Sequence, residues 1–306
     1  MKIKEKVLLK DYTTFKIGGP AKHFVEVSTI EELQEALVWA KENKQQFLIL
    51  GGGSNVIVSD SGFAGLVIKL DLQQLDFNDN KVTVGPGVML AYLLNKSLAK
   101  DLVGLEFAAG IPGTVGGAIR GNAGTYGLAM SDVIVKIKYL DDDYTVQEMS
   151  KKKAGFSYRH SIFKTNSWII LEAELKLSTG NVDAAKKLVA DRLQYRQDTQ
   201  PNQPSAGCIF KNIRFEDVDL KDLKDRNVDV DKFAEHKKIP AGYLIEKMGL
   251  KGHVIGDAQI SEKHANYIVN KGQATAEQVI IMISFIKQQI RDKYGIQLQE
   301  EVQIIV

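Results

Sequence analysis

The only cysteine of the 306 residues, Cys208, lies in the stretch PSAGCIFKN at 204–212. A lone, uncharged cysteine packs as a small hydrophobe or reacts, and its type alone does not decide between the two. Ser205, Ala206 and Gly207 are small enough to admit a ligand or another backbone, and Lys211 and Asn212 could hold a polar group. No adjacent histidine supports a thiolate nucleophile. One cysteine excludes an internal disulfide, and the five histidines (His23, His160, His236, His253 and His264) show no i, i+4 pairing, so no metal site is expected.

The second chemical signal is glycine. In LGGGSNVIV, Gly51, Gly52 and Gly53 are adjacent and lead into branched residues that favour a strand. A Rossmann turn needs Gly-x-Gly-x-x-Gly opening a helix, so this is a loop between strands. Three consecutive glycines carry a large entropic cost, which points to a backbone lying flat against a ligand. Eight of the 26 glycines fall in the 24 residues 104–127, GLEFAAGIPGTVGGAIRGNAGTYG. Pro112-Gly113-Thr114 can start a short helix there, with Thr114 as cap and amides free for an anion.

The elements that must position these residues follow from periodicity. A strand, HFVEV, precedes a helix whose capping box is read at Ser28 and Glu31, with Ile30, Leu33, Leu37 and Ala40 on one face. FLIL at 47–50 completes a β-α-β unit. Strands are predicted at 66–70, 82–87, 133–140, 144–149 and 168–177, with a helix over 88–100. A helix over 181–196 carries Val182, Ala185, Leu188, Val189 and Leu193 on one side. The charged stretch 214–238 reads as a surface excursion that could be helical in part. PAGYLIEKMG is a short helix ended by Gly249, HVIGDAQI and NYIVN are strands, and Thr275 with Gln278 caps a helix closed by Gly295. In the final strand Val302, Ile304 and Val306 should point one way, Glu301 and Gln303 the other. The domain boundary is placed at residue 180: 1–180, in subdomains of about 1–70 and 71–180, and 181–306.

Composition limits the function classes. Forty basic and 38 acidic residues give a net charge of +2, which makes no case for nucleic acid. Lys151-Lys152-Lys153 reads as a solvated face. The longest apolar run, VIIMISFI at 279–286, falls short of the ~20 residues that span a bilayer, and the N-terminus lacks a signal-peptide core. A cytoplasmic protein is expected, monomeric or weakly oligomeric.

Eight stretches in order, TTFKIGGPA, LGGGSNVIV, GLEFAAGIPGTVGGAIRGNAGTYG, YRHSIF, SAGCIFKN, AGYLIEKMGLKG, SEKHANYIVN and EEVQIIV, resemble the flavin-dependent UDP-N-acetylenolpyruvoylglucosamine reductases of bacterial cell-wall synthesis (the MurB family). The resemblance implies an α+β protein. Its FAD-binding region would have two subdomains of the vanillyl-alcohol-oxidase-like (PCMH-type) fold, followed by a C-terminal α+β substrate domain. It implies non-covalent FAD, NADPH as co-substrate and a UDP-sugar as substrate. The spacing after Tyr158 leaves no room for the tyrosine-bearing insertion of the family's longer form. The catalytic positions fall on Arg159, Cys208 and Glu301. FAD contacts are expected from Gly51, Gly52, Gly53, Ser54, Asn55, Gly110, Pro112, Gly113, Thr114, Gly116, Gly117, Asn122, Gly124 and Gly207. Substrate contacts are expected from Tyr158, Arg196, Lys211, Asn212, Tyr243, Lys251 and His264. Thr199 and Gln303 stand where many members carry a basic residue.

These residue types suit the implied chemistry. Hydride addition to an enolpyruvyl ether pushes charge onto the neighbouring carboxylate, and Arg159 offers a permanently charged planar fork for it. A thiol of ordinary pKa ~8.5 is protonated near neutrality, yet more acidic than a hydroxyl, so Cys208 suits a general acid. A partly buried Glu301 beside developing negative charge should hold its proton and donate a hydrogen bond. Two rivals stay in view: a flavin oxidase reoxidised by oxygen, and a non-catalytic nucleotide sensor.

Overall fold

A computed structural model describes residues 1–306, and the chain divides into two compact units. The first comprises Met1–Val7, Ala21–Gly53 and Ala64–Asp198; the second comprises Leu8–Pro20, Ser54–Phe63 and Thr199–Val306. The last passage of the chain from one unit to the other falls between Asp198 and Thr199. All of helix Val182–Thr199 but its last residue lies in the first unit, where Ala185 and Val189 are buried in the core. Leu188 and Leu193 of the expected apolar face remain exposed. Two early segments join the second unit because Phe15, Ile17 and Ile57 are buried in its core.

The first unit has two cores. One lies against a sheet ordered Lys4–Leu8, Pro20–Val27, Phe63–Leu70, Phe47–Leu50. The last two strands are parallel, with Phe47 opposite Leu66. Helix Ile30–Glu42 buries Leu33, Ala36, Leu37 and Ala40 there, so the expected β-α-β strands are separated by an inserted third. Its cap is Thr29, not Ser28. Thr29 Oγ1 accepts from Glu32 N at 3.1 Å, while Glu32 accepts from Ser28 N at 2.7 Å, a capping box displaced by one residue.

The other core fills one face of an antiparallel sheet ordered Val146–Ser150, Ile134–Leu140, Ile169–Lys176, Lys81–Val84, Leu75–Asn78. The period-two pattern explains it: Ala173 and Leu175 are buried, whereas Glu172 and Glu174 meet Lys138 and Lys81 at 3.3 and 3.4 Å. Helices Leu90–Leu98 and Val115–Gly121 contribute Leu90, Leu93, Val115 and Ile119 to this core.

In the second unit a sheet runs Ser205–Cys208, Tyr267–Asn270, Ala258–Ile260, Val254–Ile255. Residues 253–260, read as one strand, are a hairpin, because Gly256 takes φ +56° and turns the chain. Helix Ala276–Tyr294 has the expected Thr275–Gln278 capping box and left-handed Gly295, and buries Val279, Met282, Ile283, Ile286 and Ile290. The charged stretch 214–238 is more than a surface excursion, since Leu223, Val228 and Val230 are core residues. The final strand Gln303–Ile305 runs parallel to Val56–Val58. Its expected alternation fails after Val302, which is buried, whereas Ile304 is 39% and Val306 85% exposed. The chain changes pairing partner at Gln303, and the side-chain facing changes with it.

Candidate active site

In the first unit, strand Phe47–Leu50 runs into Gly51–Gly53. A Cβ on Gly52 would lie 2.7 Å from Gly113 Cα, and one on Gly51 2.8 Å from Thr114 Oγ1. The two glycine clusters, remote in sequence, therefore pack backbone against backbone. Gly53 (φ +62°) and Gly113 (φ +109°) hold conformations that L side chains rarely adopt. Thr114 caps helix Val115–Gly121 as expected, its hydroxyl accepting from Gly117 N at 3.5 Å, but the expected free amides are not found, since Val115 N and Gly116 N donate to Val88 O and Pro86 O at 2.8 and 2.9 Å. A Cβ on Gly116 would meet Pro86 Cβ at 2.6 Å, so packing alone requires that glycine. Gly117 is different: it is exposed, and its Cβ would find nothing nearer than Thr114 Oγ1 at 3.7 Å. Nothing in the protein demands glycine there.

Arg159 sits at the tip of a tight turn. Ser157 and His160 exchange backbone hydrogen bonds at 3.1 and 3.2 Å, leaving Tyr158 and Arg159 between them. Arg159 has φ +55°, a left-handed conformation that costs a non-glycine residue roughly 1–2 kcal/mol. Its guanidinium donates from Nη1 to Gly124 O at 3.0 Å and lies 5.3 Å from the Tyr158 ring centroid. Lys164 Nζ donates to Arg159 O at 2.9 Å. Asn122 ends the preceding helix at φ +44°, donates from Nδ2 to Ser157 O at 2.9 Å and accepts from Ser131 N at 3.0 Å. Both ends of that carboxamide hold the Arg159 turn and its surroundings. Gly124 is required by its hairpin, where a Cβ would overlap Leu128 O. Gly110, at φ +70°, leaves room for the Arg196 side chain.

In the second unit, Ser205 faces Val269 and Cys208 faces Tyr267, so one extra residue is accommodated between them. Gly207 takes φ +77° with open space where a Cβ would stand. It is the left-handed glycine of a β-bulge, a device that re-aims the next side chain. Asn266, 3% exposed, then grips the Cys208 segment. Its Oδ1 accepts from Phe210 N at 3.0 Å, its Nδ2 donates to Phe210 O at 2.8 Å, and its own carbonyl accepts from Ile209 N at 2.8 Å. Ile209 O accepts from Glu301 N at 2.8 Å. Glu301 thus stands across from the residue that follows Cys208. Both are half-buried, beside the buried Ile209 and Val302. Asn266 was missed in the sequence. Its signal was an asparagine bordering the apolar run YIVN, since a buried carboxamide must find partners.

The remaining candidates divide by use. Tyr243 accepts from Asp229 N at 3.3 Å and meets Phe233 edge-on at 5.0 Å, so it holds a loop. Asn212 Oδ1 accepts from Ala241 N at 3.3 Å, at the start of helix Ala241–Lys247. Lys211 bonds through its backbone N to Gln299 O at 2.9 Å. Lys251 pairs with Glu246 at 2.6 Å. His264 Nδ1 accepts from Asn266 N at 3.2 Å, and its ring meets Tyr267 at 4.8 Å. Burial pushes the His264 pKa below its ordinary 6.5, and the charge on Lys251 acts in the same direction. No group of three or more His, Cys, Asp or Glu side chains is placed to hold a metal ion.

Residues 21–150 match the family profile described as an FAD binding domain, and residues 200–305 that of the UDP-N-acetylenolpyruvoylglucosamine reductase C-terminal domain. The chain is 40% identical to the UDP-N-acetylenolpyruvoylglucosamine reductase of Anoxybacillus flavithermus, over 99% of this chain and 94% of that one. It is 37% identical to that of Caldanaerobacter subterraneus subsp. tengcongensis, over 97% and 91%. The crystal structure of the enzyme from Thermus caldophilus superposes with a TM-score of 0.80 at 33% identity, covering 100% of both chains. The α+β class holds, as an FAD-binding region followed by a reductase C-terminal domain.

Proposed function

The chain belongs to the UDP-N-acetylenolpyruvoylglucosamine reductase family, and we propose that it uses NADPH to convert the enolpyruvyl ether of UDP-N-acetylglucosamine into the lactyl ether of UDP-N-acetylmuramate. It is an FAD-binding oxidoreductase of peptidoglycan precursor synthesis. No helix is long and apolar enough to cross a membrane. A cytoplasmic location suits a nucleotide-sugar substrate.

The residues of the first unit fit the cofactor. Gly51, Gly52 and Gly113 put no side chain between their backbones, and the exposed Gly117, with room at its Cβ position, leaves that surface clear for the cofactor's diphosphate. Gly53 and Thr114 complete the group that would hold it. When bound, FAD supplies the hydride that adds to the methylene carbon of the substrate.

The chain's own residues do the rest. Arg159, with Nη1 anchored on Gly124, directs permanent charge at the substrate carboxylate as negative charge develops on it. Cys208 donates the thiol proton to the carbon bearing the ether oxygen, and solvent returns a proton to the thiolate. Glu301 donates a hydrogen bond to the carboxylate oxygen that gains charge. Lys251 and His264 contact the nucleotide-sugar. The observation that carries this reading is the Glu301 N to Ile209 O bond of 2.8 Å, which sets the Glu301 backbone across from the residue that follows the only thiol.

Anaerobic mixing tests it. NADPH should bleach the visible flavin band of the purified protein, and the enolpyruvyl sugar should restore it faster than oxygen does. Faster reoxidation by oxygen would favour an oxidase. NADPH oxidation that does not depend on the sugar would remove the reductase reading.

A further inference from the structure

Glu301 stands where its chain exchanges one neighbour for another. Before it, Glu300 bridges Phe210 in the antiparallel sense, and Lys211 N donates to Gln299 O at 2.9 Å. After it, Gln303–Ile305 runs parallel to Val56–Val58. The amide of Glu301 belongs to the first arrangement, donating to Ile209 O at 2.8 Å. Its carbonyl lies at the changeover between the two arrangements, and a partly buried carbonyl needs a donor. Asn55 is that donor, through Nδ2 at 3.1 Å, while Asn55 O accepts from Gln303 N at 3.0 Å.

We propose that Asn55 is the positioning residue of Glu301: its carboxamide fixes the peptide plane that follows Glu301 and so the direction in which the Glu301 carboxyl leaves the backbone. This rests on the catalytic reading of Glu301 given above. The backbone bond from Gln303 would survive any residue at position 55. Only the Nδ2 bond depends on asparagine. The place of Asn55 just after Gly51–Gly53 made it a cofactor candidate, and the two roles separate by experiment.

Asn55→Ala removes the donor, and Asn55→Asp keeps the shape while setting a carboxylate against the Glu301 carbonyl. Both should bind FAD at wild-type occupancy and be reduced by NADPH at the wild-type rate. Reoxidation by the enolpyruvyl sugar should fall about 10- to 100-fold, because displacement of a catalytic group by ~1 Å costs on the order of 100-fold. Asn55→Ser, which retains a donor, should recover part of the loss. In a Glu301→Gln background the same substitutions should change the rate by less than about threefold, since residues acting as a unit are not additive. Additive losses, an unaffected reoxidation rate, or loss of FAD from the Asn55 variants would overturn the proposal while leaving Glu301 catalytic. A wild-type rate in Glu301→Gln alone would instead remove the catalytic reading, and the positioning role with it.

Discussion

Arg159 donates from Nη1 to the carbonyl of Gly124 at 3.0 Å, and it does so from a left-handed backbone at the tip of the 157–160 turn. One arm of the guanidinium is thereby fixed by the protein. Arg159→Lys keeps the charge but cannot hold an anchor and a carboxylate with one planar fork. Substrate-dependent reoxidation should fall about 100- to 1,000-fold, the usual effect of losing a stabilising contact to developing charge. Flavin reduction by NADPH should stay near the wild-type rate. Equal losses in both half-reactions would make Arg159 a nicotinamide residue.

Gly117 separates a folding role from a ligand role. Its Cβ position is open and it lies within a helix, so Gly117→Ala should stabilise the flavin-free protein by roughly 0.5–1 kcal/mol. The same methyl group would stand on the exposed surface proposed to face the diphosphate. The variant should unfold at an equal or higher temperature as apoprotein, yet purify with little or no flavin. Full yellow colour at wild-type occupancy would place the diphosphate elsewhere.

Cys208 follows the bulge at Gly207, whose left-handed φ of +77° re-aims the strand. Cys208→Ala should leave reduction by NADPH unchanged and slow reoxidation by the sugar about 100- to 10,000-fold, the range for general acid–base groups. Cys208→Ser should be intermediate. In deuterated solvent the wild type should place deuterium on the carbon that bears the ether oxygen. Wild-type reoxidation in Cys208→Ala would return this cysteine to a packing role.

His264 gives a pH signature. Burial, with Lys251 assisting, lowers its native pKa, while its backbone hydrogen bond and Glu246 act in the opposite direction. Below the ordinary imidazole value near 6.5 the unfolded chain therefore binds more protons than the native one. Stability should be full above that value and should decline as pH falls through it toward the lower native pKa. His264→Asn keeps an acceptor for Asn266 N and does not titrate there. Urea midpoints measured between about pH 5 and 7.5 should show a steeper acid decline in the wild type than in the variant. Parallel curves would show that another group controls this window.

Features encoded within one turn of chain were legible in the sequence. Thr114 before Val115, Thr275 with Gln278, and Gly249 and Gly295 after their helices act through bonds to residues a few positions away, so composition and spacing suffice. Where two residues compete for one local role, spacing is weaker: Ser28 and Thr29 are both capable caps, and the reach of Glu32 back to Ser28 N decides for Thr29. The density of glycine at 51–53 and 104–127 pointed to a backbone lying against a ligand, whereas the contact within the protein is between the two loops themselves.

Tertiary structure decided what those glycines approach and how the acid-bearing strand is aimed. The meeting of Gly52 with Gly113 and the grip of Asn266 on Phe210 join segments far apart in sequence. So does the bond from Asn55 to the Glu301 carbonyl, and no local periodicity records its partner. Phe15 and Ile57 read as ordinary apolar residues of an N-terminal region, yet both are buried in the core of the C-terminal unit. Hydrophobic burial is non-directional. Sequence specifies that these side chains leave water, whereas the packing of the whole chain selects the core that receives them.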